Sequence, residues 1–242
     1  MNMTTILDAL DQLRMAALRG DVDAAERAKQ IADRLEQAAV PAQFLRRARL
    51  LALESEGYVL RREIDSQLIA ARGAALLRAG SVEGSAVAAG LLLRGETWKR
   101  EVDRLAEQAL DDNDIACAAM VLQMRGSSQL QEVQSYTRTA PEDAAFRANV
   151  SRYVEEGVAR AQQTRDLFAE AGIDEMRVNA AMMEVEWLWV GGRRADAVAR
   201  AEQIARDPAA ASAPLSLRLA RSVVNGGSPM PEFDALPPID RL

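Results

Sequence analysis

The chain has 242 residues, with 30 Lys and Arg against 36 Asp and Glu and a formal net charge of −6. That length buries a substantial core as one domain or one continuous array, and the acidic balance argues against general nucleic-acid binding, which needs a basic face to release counterions from phosphates. Histidine is absent and Cys117 is the only cysteine, which removes Ser-His-Asp and Cys-His nucleophiles, histidine general bases, nearly all zinc sites and any intrachain disulfide.

Apolar residues make up 49% of the chain but aromatics only 4%, and Ala, Leu and Arg fill most positions. These side chains lose little on helix formation, and no strictly alternating β-branched runs occur, so the expected class is all-α without strands. Charge is uneven. Residues 1–100 hold 15 basic and 13 acidic side chains, whereas 101–242 hold 15 and 23. The start, MNMTTILDALDQL, lacks a basic n-region and a long apolar run, and no apolar stretch is long enough to span a bilayer. The expected compartment is the cytoplasm, without membrane insertion. Two lysines against many arginines suggest a GC-rich bacterial genome.

In chain order, Thr5–Arg19 carries Ile6, Leu7, Leu10, Leu13 and Ala17 on one face, with Thr5 and Asp8 placed as a capping box. Gly20 ends it, and Asp21 caps a second helix with Val22, Ala25, Ala28, Ala32 and Leu35 facing inward. Pro41 opens a third helix that Gly57 is expected to break, followed by a helix to Ala79. The cluster Arg46, Arg47, Arg49, Arg61 and Arg62 reads as a solvated face answered by Glu54, Glu56 and Glu63. A short helix over 82–94, softened by Gly84 and Gly90, depends on tertiary packing, since each glycine costs about 1 kcal/mol relative to Ala.

Glu96–Leu110 carries Trp98, Val102, Leu105 and Ala109. The DDND turn, 111–114, caps Ile115–Met124; it lacks the ligand alternation, the central Gly and the terminal Glu of a calcium loop. Gly126 is expected to end that helix, with Ser128 and Gln131 capping the next. A long helix from Thr139 reaches Ala171. Val178–Pro208 then reads as two helices joined at Gly191–Gly192, with Ala181, Val185 and Leu188 facing Ala197, Ala201 and Ile204. Pro208 stops the second, and a last helix from Ser212–Pro214 fades near Asn225.

The Val178–Pro208 unit resembles a tetratricopeptide repeat, a helix–turn–helix of about 34 residues ending in Pro. Gly192 fits its turn, Ala197 its small second-helix residue and Pro208 its terminator, while Val185 and Glu184 stand where the family has a small residue and Leu. The segment LRGDVDAAERAKQIA resembles the same turn, with Gly20 and Ala25 spaced as Gly192 and Ala197. The resemblance implies a right-handed α-solenoid of antiparallel hairpins, about twelve helices over residues 1–225. It also implies that first helices line a concave groove for a protein or peptide partner, with the stripe Asn179, Met182, Glu186 and Trp189 facing it. By periodicity alone the same apolar stripe is equally a core stripe.

Chemistry is sparse. Cys117, between two alanines in an apolar helix, reads as a small buried hydrophobe. No Gly-rich loop precedes Lys-Ser or Lys-Thr, which excludes a P-loop. Glu184 and Glu186 lie on an otherwise apolar helix, but i and i+2 side chains point about 200° apart and cannot share a site; Arg177, Arg193 or Arg194 is the expected partner. The tail, 226–242, holds four prolines, yet Phe233, Leu236, Ile239 and Leu242 recur every third residue, the repeat of polyproline II, and suit docking in an apolar trough.

The expected function is a non-catalytic protein-interaction scaffold with no cofactor and no metal, binding a protein or peptide and open to homo-oligomerisation. A peptide-sensing regulator and a carboxylate-based enzyme are the alternatives.

Overall fold

In a computed structural model, the described residues are 3–38, 40–60, 81–82, 85–86, 95–139 and 144–230. Nine α-helices and one 3₁₀ turn are present among them, without strands. These are α1 (Met3–Leu18), α2 (Val22–Gln37), α3 (Ala42–Leu60), α4 (Gly95–Asp111), α5 (Ile115–Thr139), α6 (Ala144–Glu170), α7 (Asp174–Val190), α8 (Arg194–Arg206), the 3₁₀ turn Pro208–Ser212, and α9 (Pro214–Val224). The all-α expectation holds. Of the helix expected over 58–79 only 58–60 are described, as the end of α3, and of that over 82–94 only 82 and 85–86; Gly80, Gly84, Gly90 and the tail residues Phe233, Leu236, Ile239 and Leu242 lie outside the described residues. Two compact units divide the chain, residues 1–108 and 109–242.

In the N-terminal unit α1, α2 and α3 each pack on the other two. Their core is Leu10, Ala28, Ala32, Leu35, Ala48 and Leu51. Asp21 caps α2 through its side chain, which accepts from the amides of Asp23 and Ala24. Val22, expected to face inward, is 59% exposed; it stands at the first helical position, and the inward face begins at Ala24. Thr5 and Asp8 form no capping box, because α1 already begins at Met3. Helix α3 runs through Gly57, where packing against both α1 and α2 outweighs the cost of about 1 kcal/mol for a mid-helix glycine. Arg61, Arg62 and Glu63 of the expected arginine cluster and its acids lie outside the described residues, and Glu54 has two described partners. It is buried and accepts from Arg14 Nη1 at 3.3 Å and Ser81 Oγ at 3.2 Å. Arg49 of the cluster pairs with Glu36.

In the C-terminal unit each helix from α5 to α9 packs on its sequence neighbour, and α7 also touches both α5 and α9. The core joins Val150, Val154, Val158, Val178, Trp187, Leu188, Ala197, Ala201 and Val223. Ala181, Val185 and Leu188 face inward as expected, as do Ala197, Ala201 and Ile204. The DDND turn is a cap: Asp114 Oδ1 accepts from the Cys117 amide at 3.1 Å, and Cys117 is buried.

A second expected break is absent, as at Gly57. Helix α5 continues through Gly126 and Ser128, so no second capping box forms there. A Cβ at Gly126 would come 2.8 Å from Met183 Cε; the glycine serves a close helix approach and not a turn. Gly192, with φ +75, does make a turn, in the left-handed region that favours glycine.

Candidate functional site

Helix α7 is surrounded on most sides. Contacts between α6 and α7 pair Val154 with Gly191, Gly157 with Trp187, and Gln162 with Glu184. These pairs lie nearly symmetrically about the turn at Gly172, as two antiparallel helices joined there require. Between α7 and the following segment, Glu184 pairs with Arg200 and Arg177 with Asp207, both symmetric about Gly192. On a third side Met183 meets Gly126 and Ser127 of α5. On a fourth, Ser216 Oγ of α9 donates to Asn179 Oδ1 at 2.7 Å.

This packing splits the Asn179–Trp189 stripe. Met182 is 2% exposed and belongs to the core. Asn179 holds α9 in place. Glu186 and Trp189 remain partly exposed. At about 100° per residue, Glu186 lies between Asn179, which meets α9, and Trp189, roughly 20° from the former. Arg194 stacks its guanidinium 3.6 Å from the Trp189 ring centroid and donates from Nη1 to the Trp189 carbonyl at 3.0 Å. That cation–π contact holds the indole at the surface in one orientation.

The two acids of α7 have opposite environments. Glu184 is 5% exposed. Its Oε1 accepts from Gln162 at 2.8 Å and its Oε2 from Arg165 Nη1 at 3.0 Å. Arg200 Nε lies 2.8 Å from the same Oε2, an ion pair by distance whose N–H is not aimed at the oxygen. The arginines expected to partner it are engaged elsewhere. Arg177 pairs with Asp174 and Asp207, Arg193 with Asp196, and Arg194 with Trp189. Above Glu184 an open cleft of about 330 Å³ lies between α6 and α8.

Glu186 has no hydrogen-bond or ion-pair partner among the described residues. The side chain is partly buried, and this desolvation raises its pKa to about 7. Glu184 and Glu186 do not converge, as the i, i+2 spacing requires. No group of three His, Cys, Asp or Glu that could hold a metal ion occurs among the described residues. No described helix is long and apolar enough to cross a membrane.

One participant has no local signal in the sequence. Beyond α9 the chain turns at Gly226, with φ +85. Ser228, Pro229 and Met230 are then buried, and Met230 Sδ receives Gln134 Nε2 of α5. Only the long-range fold brings these residues, 96 positions apart, together.

Comparisons with family models, with curated proteins and with solved structures give no match.

Proposed function

We propose that this chain is a tetratricopeptide-like right-handed α-solenoid, a non-catalytic scaffold that takes an extended protein or peptide partner along the layer formed by α5, α7 and α9. The observation that carries the reading is the packing of α7, which touches its sequence neighbours α6 and α8 and also the alternate helices α5 and α9. Stacked antiparallel hairpins pack this way, because every first helix lies beside the first helix of the next hairpin. The layer of first helices then offers one continuous face.

Two features of α7 suit that face to recognition. Trp189 offers a large, oriented aromatic surface, the residue type that dominates interface energetics. Glu186 offers a carboxyl with no partner among the described residues. A cationic side chain of the partner seated on it recovers the charge stabilisation that burial removes. An enzyme reading has less support, since both acids that line the cleft are paired, Glu184 with Arg165 and Arg200 and Asp196 with Arg193.

Selection from a random-peptide library on the immobilised full chain tests this. Enriched peptides should bind the wild type and lose at least tenfold in affinity to Trp189→Ala and to Glu186→Gln. Peptides that bind all three proteins equally, or no enrichment over blank matrix, would refute the assignment of this face.

A further inference from the structure

We infer that the groove between α1 and α2 is a binding site for a small alkyl carboxylate, with Arg34 holding the carboxylate and the apolar walls holding the chain. The site belongs to the N-terminal unit and stands independently of the face proposed on α7.

The hairpin itself makes the groove. Thr5, Ile6 and Ala9 lie as far before Gly20 as Leu35, Arg34 and Ile31 lie after it, so the two antiparallel helices set these residues side by side. They line a depression of about 340 Å³, at the small end of ligand pockets, which run from about 300 to 1,000 Å³. No described residue of α3 lines it; α3 meets the same two helices at the core formed with Leu10, Ala28, Ala32 and Leu51. Leu35 is buried, while Ile6, Ala9 and Ile31 are partly exposed. Ala9 contributes a single methyl, which leaves the room that a longer side chain would fill.

The walls are apolar except at one end. Thr5 and Arg34 both lie toward the end away from Gly20, where α1 begins and α2 finishes. The Arg34 guanidinium makes no hydrogen bond or ion pair among the described residues. By contrast Arg27 of the same helix is paired with Asp21, and Arg49 of α3 with Glu36. No described acid lines the groove. The antiparallel helices bring the positive end of α1 beside the negative end of α2 there, so the two dipoles largely offset and the Arg34 charge sets the sign.

That combination selects one ligand chemistry. Arg34 calls for an anion, and Ile6, Ala9, Ile31 and Leu35 call for an apolar body. A peptide segment is disfavoured, because its backbone N–H and C=O groups need partners and the walls offer no polar side chain beyond Thr5 and Arg34. An alkyl chain has no such groups, and filling the groove removes apolar surface of both molecules from water. Each methylene covered is worth about fourfold in affinity. The carboxylate then lies between Arg34 and the Thr5 hydroxyl, and the chain runs toward Ala9 and Ile31.

Isothermal titration calorimetry of the full chain with octanoate, below its micelle concentration, tests this. The expected result is saturable one-to-one binding, with hexanoate about tenfold weaker for its two fewer methylenes. Arg34→Gln should weaken octanoate about tenfold, the loss of one charge-assisted hydrogen bond, while leaving octanol binding unchanged. Ala9→Leu should remove binding of both, with circular dichroism showing that its helices remain. The Arg34→Gln comparison decides even where Ala9→Leu fails to fold, because Arg34 is exposed and its replacement leaves the core intact. No saturable binding, or octanoate bound equally by wild type and Arg34→Gln, would overturn the inference. So would tighter binding of octylammonium, or of a short peptide ending in Leu with a free carboxylate.

Discussion

Trp187 packs its ring against Gly157: a Cβ at that glycine would come 2.3 Å from the indole Cδ2 and Cε2 atoms and 2.7 Å from Cε3. The largest fully buried side chain among the described residues is accommodated by the absence of a side chain on α6. The Glu184 ion cluster lies further along the same helix contact.

Replacing Gly157 by Ala should therefore reverse the usual sign. In an open helix Gly→Ala stabilises by up to about 1 kcal/mol, but here the added methyl overlaps ring atoms that cannot move as a flexible chain end does, and overpacking costs about 1–3 kcal/mol. Gly126→Ala should cost less, because the flexible end of Met183 is the obstacle. Urea unfolding of both variants checks this; a Gly157→Ala protein as stable as wild type would contradict the ring contact.

Glu184 binds three helices together, through Gln162 and Arg165 of α6 and Arg200 of α8. Glu184→Ala removes a buried acid and leaves two partly exposed guanidiniums, 24% and 18% exposed, without it. The cost should be about 2–3 kcal/mol, below the 3–5 of a fully buried pair, because the arginines can turn to water. Arg193→Ala, on the rim of the same cleft, should change stability by less than about 0.5 kcal/mol. Equal costs for the two would show that the cluster contributes nothing.

Stability should respond to pH in two opposed windows. Glu186 carries a folded-state pKa raised to about 7 from 4.5, so between these values the folded chain binds more protons than the unfolded one. The stabilisation it gives is complete at low pH and falls as pH rises from about 4.5 to 7, by at most about 3 kcal/mol. Asp207 has the opposite sign. The Arg177 hydrogen bond, ahead of the Ala209 amide, holds its carboxyl below the usual value of 3.8, so its contribution is present above that value and lost as pH falls through the folded one. Glu186→Gln should flatten the first window and Asp207→Asn the second, measured by melting across pH 2–9. A wild-type curve that Glu186→Gln leaves unchanged would contradict the buried-carboxyl assignment.

The two neighbouring tryptophans should separate core from surface. Trp187→Ala empties a fully buried site and should cost about 3–5 kcal/mol. Trp189→Ala loses a partly exposed ring and its stack with Arg194, which should cost about 1–2 kcal/mol. Comparable losses at both positions would assign Trp189 to the core alongside Met182.

Much of the C-terminal hairpin was legible in the sequence, because Gly192, Pro208 and the small inner residues each mark one local event. The register was legible too: Glu184 lies nearly as far after Gly172 as Gln162 lies before it, and as far before Gly192 as Arg200 lies after it. Pairing Glu184 instead with Arg177, Arg193 or Arg194 weighed nearness in sequence over that register. Gly57 and Gly126 misled for a different reason. A glycine that ends a helix and one that admits a neighbouring side chain look alike until the neighbour is known, and Met183 is 57 positions from Gly126. The contact of Met230 with Gln134 had no local signal at all. Only its phase with Phe233 and Leu236 belonged to a pattern already visible.

The central claim is that the helices of the C-terminal unit form a stacked array in which each hairpin leans on its neighbours. Native-state hydrogen exchange tests it most directly. The array predicts graded opening, with amides of α6 and α7 exchanging most slowly, α8 next and α9 fastest, and with α9 faster still when residues 226–242 are deleted. Exchange of all five helices through one common opening, at a single free energy and indifferent to the deletion, would contradict it.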